Sequence, residues 1–299
     1  MNFKLYRAES ISCPPMELEN RPPAEGINAE PERLGADALW LVLGTLGLLV
    51  ALVLGLHYGA TWLAPQVPFK HEVALAEQLW GPSPDASRPE AEQAANKALQ
   101  ALADSLRAPL GIPPDMPISV RVDDNKAINA YATLGGRVVI FKGLLAHLQR
   151  EDELAALLAH EMAHVKHRHV AASMGRGVGI ALVLSIVSAS AGSEVASGAL
   201  GQTTGLLLQG YSREQEAQAD ADATRAVAER YGHVQGVLRL FAVLEAQAPS
   251  TPNAPQWLRS HPHTHNRQAT AAAWAQAQGV AVKGEAVGVA QAVRAWVGP

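Results

Sequence analysis

A long uncharged segment near the amino terminus limits what this chain can fold into. No Asp, Glu, Lys or Arg occurs from Ala38 to Phe69, and residues 39–56 are nearly all Leu, Val and Gly. About 20 helical residues cross the ~30 Å hydrocarbon layer of a bilayer, whereas a buried core helix is usually shorter and less uniformly apolar. Trp40 and Trp62 lie where interfacial aromatic side chains are common. We therefore expect a transmembrane helix at residues 38–63, with the lipid bilayer as a partner.

The residues around this anchor indicate its type and orientation. A Pro- and Glu-rich tract precedes the apolar segment, which argues against a cleaved signal peptide. Arg21 and Arg33 precede the anchor and Lys70 follows it, which favours an amino terminus on the cytoplasmic side. We expect an uncleaved single-pass anchor, with a tail at residues 1–37 inside and a domain at residues 64–299 outside the cytoplasm.

Composition limits the partners and leaves the redox compartment open. A chain of 299 residues with 48% hydrophobic residues can bury a substantial core. Its net charge of -4, with 17% charged residues, provides no basic surface of the kind that a phosphate backbone requires. Nucleic acid is therefore not expected as a partner. Cys13 is the single cysteine and cannot form an intramolecular disulfide, so cysteine usage assigns no compartment.

Residues 64–299 are expected to form one mainly helical domain with a small β-sheet, an α+β fold. The segment Ile118–Val122 alternates between apolar and polar residues, and Arg137–Phe141 is rich in β-branched residues. The second segment follows Leu134-Gly135-Gly136, a turn sequence, so a sheet with a hairpin is predicted. The pattern after Gly143 is helical.

A His-Glu-Met-Ala-His sequence at residues 160–164 lies in an apolar helix predicted to begin near Glu151. At 3.6 residues per turn, His160 and His164 lie about 40° apart on one helical face, so both imidazoles can reach one ion. Glu161 lies one step further round the helix, where it can accept a proton from a water beside that ion. The motif predicts a zinc site with two histidine ligands and a general base.

A catalytic zinc ion also requires a third protein ligand. The segment Ser212-Arg213-Glu214-Gln215 predicts a capped helix start, after which Glu216 and Asp220 lie four residues apart on one face. Glu216 is the candidate ligand, and Asp220 is a carboxylate that can orient a ligand histidine. By itself, such an acidic face is more often a solvated helix surface, and it is the preceding His-Glu-x-x-His helix that favours the ligand interpretation.

Two further histidines close to the motif are expected to lie outside the metal site. His167 shares the helical face of His160, but the two are about 10.5 Å apart along the helix axis, so one ion cannot bind both. His169 falls on the opposite face of the continued helix and is expected to be a surface histidine at the helix end.

These motifs together resemble those of the HtpX-like zinc metallopeptidases, which include the CAAX prenyl proteases and the Oma- and BepA-type proteases of protein quality control. The resemblance covers roughly residues 70–275 and depends on the order of several short motifs. These are Asn129-Ala130 with Gly135-Gly136, Lys142-Gly143-Leu144-Leu145, Glu153-Leu154, His160–His164, Tyr211-Ser212-Arg213, Glu216–Asp220, His261-Pro262 and Arg267.

The resemblance implies a zincin-type (gluzincin) fold with one zinc ion per chain. His160, His164 and Glu216 match the zinc ligands of the group. Glu161 matches its general base and Asp220 its carboxylate beside a ligand histidine. Zinc is accordingly the expected cofactor, and the expected partners are protein or peptide substrates.

The same resemblance gives expectations for the residues around the metal. His261 matches a histidine that either stabilises the oxyanion or occupies the open metal position at rest. Asn129, Arg137 and Val138 match a substrate-binding cleft edge, where an extended peptide would pair with the strand at residues 137–141.

The segment between the two motif helices is apolar. Gly177–Ser193 and Val195–Ser212 contain no Asp, Glu, Lys or Arg and are separated by Glu194. Since His164 and Glu216 must meet at one ion, the intervening chain can cross a bilayer only an even number of times. We expect no crossing, with residues 176–211 forming a helical segment over the cleft or at the membrane surface.

The predicted function is that of a zinc metalloendopeptidase in membrane or envelope protein quality control. The expected location is a bacterial inner membrane, with the catalytic domain on the periplasmic side. Two alternatives belong to other classes. A zinc-binding chaperone or scaffold would keep the metal without cleaving substrate, and a membrane adaptor would carry the motif by accident.

Overall fold

The computed structural model describes residues 34–63, 66–81, 88–175, 210–247, 257, 261 and 266–298. Most of the expected tail at residues 1–37 lies outside these ranges. Residues 176–209 of the expected apolar segment at residues 176–211 also lie outside these ranges.

The first helix, α1 at Leu34–Leu63, contains the predicted anchor. Within it, Gly35–Leu56 is long and apolar enough to cross a membrane, with a mean hydropathy of 2.5. Its large side chains are exposed, including Trp40 at 72% and Trp62 at 70%. Length and composition therefore make α1 a candidate membrane span, in agreement with the sequence.

Two helices follow α1, each opening directly after a proline. Helix α2 spans Phe69–Trp80 after Pro68, and α3 spans Glu90–Leu110 after Pro89. The buried leucines of α3 recur every three to four residues, which gives this helix one core-facing stripe. They are Leu99, Leu102, Leu106 and Leu110.

A three-stranded sheet follows in the order β1-β3-β2, from β1 at Ser119–Asp123, β2 at Ala130–Thr133 and β3 at Arg137–Phe141. Strands β2 and β3 form an antiparallel hairpin at the predicted turn, although the sequence did not indicate β2 itself. The two strands that the sequence did indicate, β1 and β3, pair in parallel. The hairpin turn needs glycine, since Gly136 has a φ of 74° and a Cβ there would lie 1.9 Å from the Pro117 carbonyl oxygen.

The prediction that residues 137–141 form a free strand edge is wrong. Strand β3 lies between the other two, so its backbone is already paired on both sides. Its consecutive residues Val138, Val139 and Ile140 are fully buried. A continuous buried run of this kind is typical of a strand covered on both faces.

The rest of the described chain is largely helical. The short α4 covers Lys142–Leu145, and α5 covers Glu151–Lys166, followed by helical residues 169–175. Four more helices follow: α6 at Arg213–Tyr231, α7 at Gln235–Ala246, α8 at Arg267–Ala277 and α9 at Gln291–Val297. The predicted fold class, mainly α with a small sheet, is confirmed.

Helix α5 is the centre of this arrangement. Every residue from Asp152 to Val165 is buried, because α3, α6, α7 and the sheet all pack against it. Its buried first turn is capped: Glu153 accepts from the backbone N–H of Gln149 at 2.7 Å and from the Arg239 Nε at 2.5 Å.

Candidate metal centre

Helix α5 carries the two histidines and the glutamate of the motif into the core. His160 is 1% exposed, and Glu161 and His164 are fully buried. The Nε2 atoms of His160 and His164 lie 3.2 Å apart, as expected for residues one helical turn apart that face one point.

Helix α6 brings a third candidate ligand to the same point. Ser212 caps the helix as predicted, since its hydroxyl accepts from the Gln215 N–H at 3.2 Å and the Gln215 side chain accepts from the Ser212 N–H at 2.9 Å. Glu216 follows in the first turn and is fully buried. Its carboxylate oxygens lie 3.6 Å from the Nε2 of His160 and 3.3 Å from the Nε2 of His164.

A fourth side chain, His261, completes the cluster. Its Nδ1 lies 3.2 Å from the Nε2 of His160 and 2.9 Å from the Oε1 of Glu216. One ligand atom from each of His160, His164, Glu216 and His261 can be chosen so that all four lie within 4.8 Å of one another. On its other side, the Nε2 of His261 is 3.6 Å from the Oε1 of Glu161.

The cluster fits a divalent cation. Four ligands at ~2.0–2.1 Å in a tetrahedron are separated by about 3.4 Å, close to the distances observed here. The Oε2 of Glu216 and both carboxylate oxygens of Glu161 are buried and accept no hydrogen bond from any described residue. Because buried polar atoms are normally paired, converging acceptors without donors indicate a site for a positive ion.

Aromatic rings cover the histidines of this cluster. Tyr211 stacks on His164 with ring centroids 3.7 Å apart, and Trp257 stacks on His261 with centroids 4.6 Å apart. These contacts restrict the rotation of both imidazoles and shield them from water.

Asp220 lies beside the cluster, where its predicted role would require it to be. Its Oδ1 is 3.0 Å from the Nδ1 of His160. Burial acts to raise the pKa of Asp220, but the contacts with His160 and Arg267 outweigh it and hold that pKa below its ordinary value. Burial likewise acts to lower the pKa of His160, and the Asp220 and Glu216 carboxylates raise it above its ordinary value.

Arg267 is a site residue to which the sequence assigned no role. Its Nε donates to the Oδ2 of Asp220 at 2.5 Å, and its Nη2 donates to the Oδ1. The guanidinium is buried and lies 4.3 Å from the centroid of the Phe241 ring. Two parallel hydrogen bonds orient the Asp220 carboxylate towards His160. Only the position of Arg267 within the family motifs could have indicated it.

The prediction that His169 is a surface residue is wrong. Helix α5 ends at Lys166, and Arg168 has a left-handed φ of 59°, so the helical phase used for that prediction does not extend to His169. The chain turns back instead, and His169 is 5% exposed with its Nδ1 3.0 Å from the Nδ1 of His164. Burial lowers the pKa of His169 to about 4.

His167 lies outside the cluster, as the axial distance predicts. Its Nε2 is 2.9 Å from the Oδ2 of Asp222 in α6. Burial acts to raise the pKa of Asp222, but hydrogen bonds from His167 and Lys166 outweigh it and lower the pKa well below its ordinary value.

The three residues expected to bind substrate are differently placed. Asn129 immediately precedes β2 and is buried, and its side-chain oxygen accepts no hydrogen bond within the ranges that the structure describes. Arg137 instead donates to the Gly81 carbonyl at 2.8 Å, and Val138 is fully buried in β3. Within the described residues, no hydrogen bond or ion pair joins Arg137 or Val138 to the metal cluster.

Comparison with known proteins gives a consistent family assignment. The model of peptidase family M48 matches residues 93–275. The putative beta-barrel assembly-enhancing protease of Vibrio cholerae is 32% identical over 152 residues, which is 48% of this chain and 31% of that protein. The mitochondrial metalloendopeptidase OMA1 of Schizosaccharomyces pombe is 28% identical over 155 residues, 51% of this chain and 45% of that protein. The chain thus matches less than half the length of these two relatives.

Proposed function

The chain belongs to peptidase family M48, and from this premise we propose that it is a membrane-anchored, zinc-dependent endopeptidase that hydrolyses peptide bonds in proteins. One observation carries the proposal. The fully buried Glu161 carboxylate has no hydrogen-bond partner among the described residues, and its Oε1 lies 3.6 Å from the Nε2 of His261, a member of the metal-ligand cluster. A purely structural metal site has no need of such a group.

His160, His164 and Glu216 are the proposed zinc ligands, one ion per chain, and Asp220 orients the imidazole of His160. Zinc held there would polarise the scissile carbonyl and lower the pKa of a nearby water towards ~7.

Glu161 acts in this proposal as the general base. Its carboxylate takes a proton from the attacking water and later gives it to the leaving amine. The apolar interior around it strengthens the electrostatic interactions of the site by excluding bulk water.

His261 is proposed to close the site at rest. Its Nδ1 lies among the ligand atoms, 2.9 Å from Glu216, in the place that a substrate carbonyl would need. When substrate displaces the ring, the same imidazole can donate to the oxyanion. Losing one such donor costs roughly 2.7–4 kcal/mol in other enzymes.

The substrate backbone is proposed to pair with β2 rather than β3. One edge of β2 is taken by β3, and the other has no strand partner within the described residues. The backbone N–H of Trp257 donates to the Ile128 carbonyl at 3.3 Å, which connects the aromatic wall of the site to the start of β2. The buried side-chain oxygen of Asn129, in between, has no hydrogen-bond partner in the described part of the chain, and a peptide N–H is proposed to become its donor when substrate binds.

The cellular setting is part of the proposal. The candidate span in α1 supports anchoring of a catalytic domain at residues 64–299. The name of the Vibrio cholerae relative, a putative beta-barrel assembly-enhancing protease, supports a role in envelope protein quality control. We place the catalytic domain on the periplasmic side of a bacterial inner membrane, an orientation that Arg21, Arg33 and Lys70 favour.

The decisive test is Glu161→Gln in the full chain, purified in detergent. The variant keeps the size of the side chain and removes the base, so it should retain about one zinc per chain. Cleavage of an unfolded protein such as casein should fall by about 10²–10⁴-fold. Glu229→Gln, an exposed change on α6, is the matched control and should cleave at the parental rate.

The competing candidate is a zinc-binding chaperone or scaffold that keeps the site for stability. It predicts that the parental protein binds zinc yet shows no cleavage that a chelator can inhibit. If the Glu161→Gln variant binds zinc and still cleaves substrate at the parental rate, Glu161 is not the general base.

A further inference from the structure

We propose that His169 is a positioning residue that orients the metal ligand His164 through a chain of four hydrogen bonds reaching Asp222. The inference rests on the proposed function in one respect, namely that a metal binds the Nε2 of His164. Beyond the proposed function, the inference gives a role to His169, which lies outside the His-Glu-x-x-His motif. It also connects His164 to Gln218 and Asp222 of α6 through hydrogen bonds.

The chain of contacts is continuous. The Nδ1 atoms of His164 and His169 are 3.0 Å apart, and the Nε2 of His169 lies 3.1 Å from the Oε1 of Gln218. The Nε2 of Gln218 lies 3.1 Å from the Nδ1 of His167. The Nε2 of His167 then lies 2.9 Å from the Oδ2 of Asp222.

One assignment of protons satisfies all four contacts. A metal at the Nε2 of His164 leaves its proton on Nδ1, so His169 must accept there and carry its own proton on Nε2. That proton is donated to the Gln218 carbonyl, and the Gln218 amide donates to His167. His167 then donates from Nε2 to the carboxylate of Asp222. The contacts thus fix the tautomers of the three histidines and the orientation of the Gln218 amide.

Asp222 is firmly held at the end of this chain. Lys166 donates to its Oδ2 at 2.7 Å and Arg225 to its Oδ1 at 2.6 Å. These two partners come from the end of α5 and from α6, the helices that supply the three proposed ligands. An ionised carboxylate accepts stronger hydrogen bonds than a neutral group does, so the chain ends on a strong acceptor.

The backbone turn that places His169 has its own support. Arg168, at a φ of 59°, is buried, and its Nε donates to the Oε1 of Glu72 in α2 at 2.7 Å. Its guanidinium also lies 5.2 Å from the centroid of the Phe69 ring. These contacts hold a non-glycine residue in a conformation that is unfavourable by itself. Strain of this kind persists where the surrounding structure requires it, here to bring His169 back onto His164.

A purely steric explanation competes with this one. Tyr211 stacks on His164 with an interplanar angle of 15°, and on that explanation His169 only fills space beside the ring. The two explanations differ in what a substitute for His169 must provide. Hydrogen bonding requires an acceptor and a donor, whereas packing requires only volume.

The test compares His169→Gln with His169→Leu in the full chain. Glutamine supplies an acceptor for His164 and a donor for Gln218, and leucine supplies volume alone. The readout is the zinc dissociation constant from competition with a chromophoric chelator. We expect it to rise by about 10–100-fold for His169→Leu and to stay within a few-fold of the parental value for His169→Gln. His71→Ala, at an exposed histidine on α2, is the matched control and should bind like the parent.

Gln218→Leu keeps the test decisive if His169→Leu fails to fold, because Gln218 is exposed. It should weaken zinc binding by several-fold, with activity recovered at saturating zinc. Unchanged affinity in a folded His169→Leu or Gln218→Leu protein would overturn the proposal, as would equal losses from His169→Leu and His169→Gln. A parental protein that binds no zinc would instead contradict the proposed function.

Discussion

The two ligand histidines of α5 are one helical turn apart, but the protein supports them in opposite ways. His160 faces the Asp220 carboxylate directly, 3.0 Å away, with the buried Arg267 behind it. His164 faces the ring of His169. From His169, three further hydrogen bonds, through Gln218 and His167, lead to the carboxylate of Asp222. One support is short and charged, and the other is long and neutral.

The titration of the two rings follows this difference. Burial acts to lower the pKa of both, but the adjacent Asp220 carboxylate turns the balance at His160, whose pKa is raised. At His164, burial prevails and the pKa falls well below its ordinary value. The Asp220 carboxylate increases the basicity of the His160 imidazole. The neutral His169 side chain orients the imidazole of His164 without placing a negative charge beside it. At one metal site, the orientation of a ligand histidine and the negative charge beside it can thus come from different residues.

The largest effect that would sharpen this comparison is expected from Asp220→Asn. This change removes the charge behind His160 and breaks the closer of the two ion pairs of the buried Arg267 guanidinium, which keeps only the Glu216 carboxylate, 3.6 Å away. Zinc affinity should fall by about 10–100-fold. The metal-free protein should also lose about 3–5 kcal/mol of unfolding free energy, the usual cost of breaking a buried ion pair. Chelator competition and urea unfolding measure the two losses separately.

Asp222→Asn is the partner variant for that measurement, because its charge lies four hydrogen bonds from the metal ligand. It should weaken zinc binding by less than Asp220→Asn does. Equal losses from the two variants would break the distinction between a direct and a relayed support.

A smaller effect is expected in the pH dependence of stability. The pKa of His169 is about 4 in the folded protein against an ordinary 6.5. Between these values the unfolded chain binds a proton that the folded chain does not, so this group makes stability fall as the pH drops. The slope is at most about 1.4 kcal/mol per pH unit.

His169→Gln should remove that component of the pH dependence. The measurement is urea unfolding of the metal-free parent and variant at pH 7 and pH 5. The parent should lose more stability than the variant over this interval. Parallel curves would show that the fold does not hold His169 neutral.

The smallest effect concerns the turn that carries His169. Arg168→Ala and Arg168→Gly both remove the ion pair with Glu72, but only glycine relieves a φ of 59°. The glycine variant should therefore be more stable than the alanine variant by about 1 kcal/mol, which unfolding midpoints can resolve. An alanine variant of equal or greater stability would mean that the left-handed conformation is absent in solution.

The features that could be predicted from sequence are local ones. His160 and His164 meet because of the helical period, Ser212 caps α6 within one turn, and Gly135-Gly136 marks the β2–β3 hairpin. Each of these depends on residues within a few positions of one another.

The features that could not be predicted depend on distant contacts or on a broken period. The parallel pairing of β1 with β3 involves strands that are remote in sequence, so the central strand was taken for an edge. The helical phase that placed His169 on the surface ends at Arg168, where no glycine marks the break. The meeting of Arg267 with Asp220 joins two helices through packing, which no local pattern records.

Gln218 has a practical consequence for anyone who re-engineers this protein. It is an exposed, uncharged residue on a helix surface, the kind of position that is commonly replaced to improve solubility, crystallisation or labelling. In this chain its amide joins two histidines, one of which contacts a proposed metal ligand. Surface redesign of α6 should therefore leave Gln218 unchanged and use Glu229 or Ala221 instead, which are also exposed.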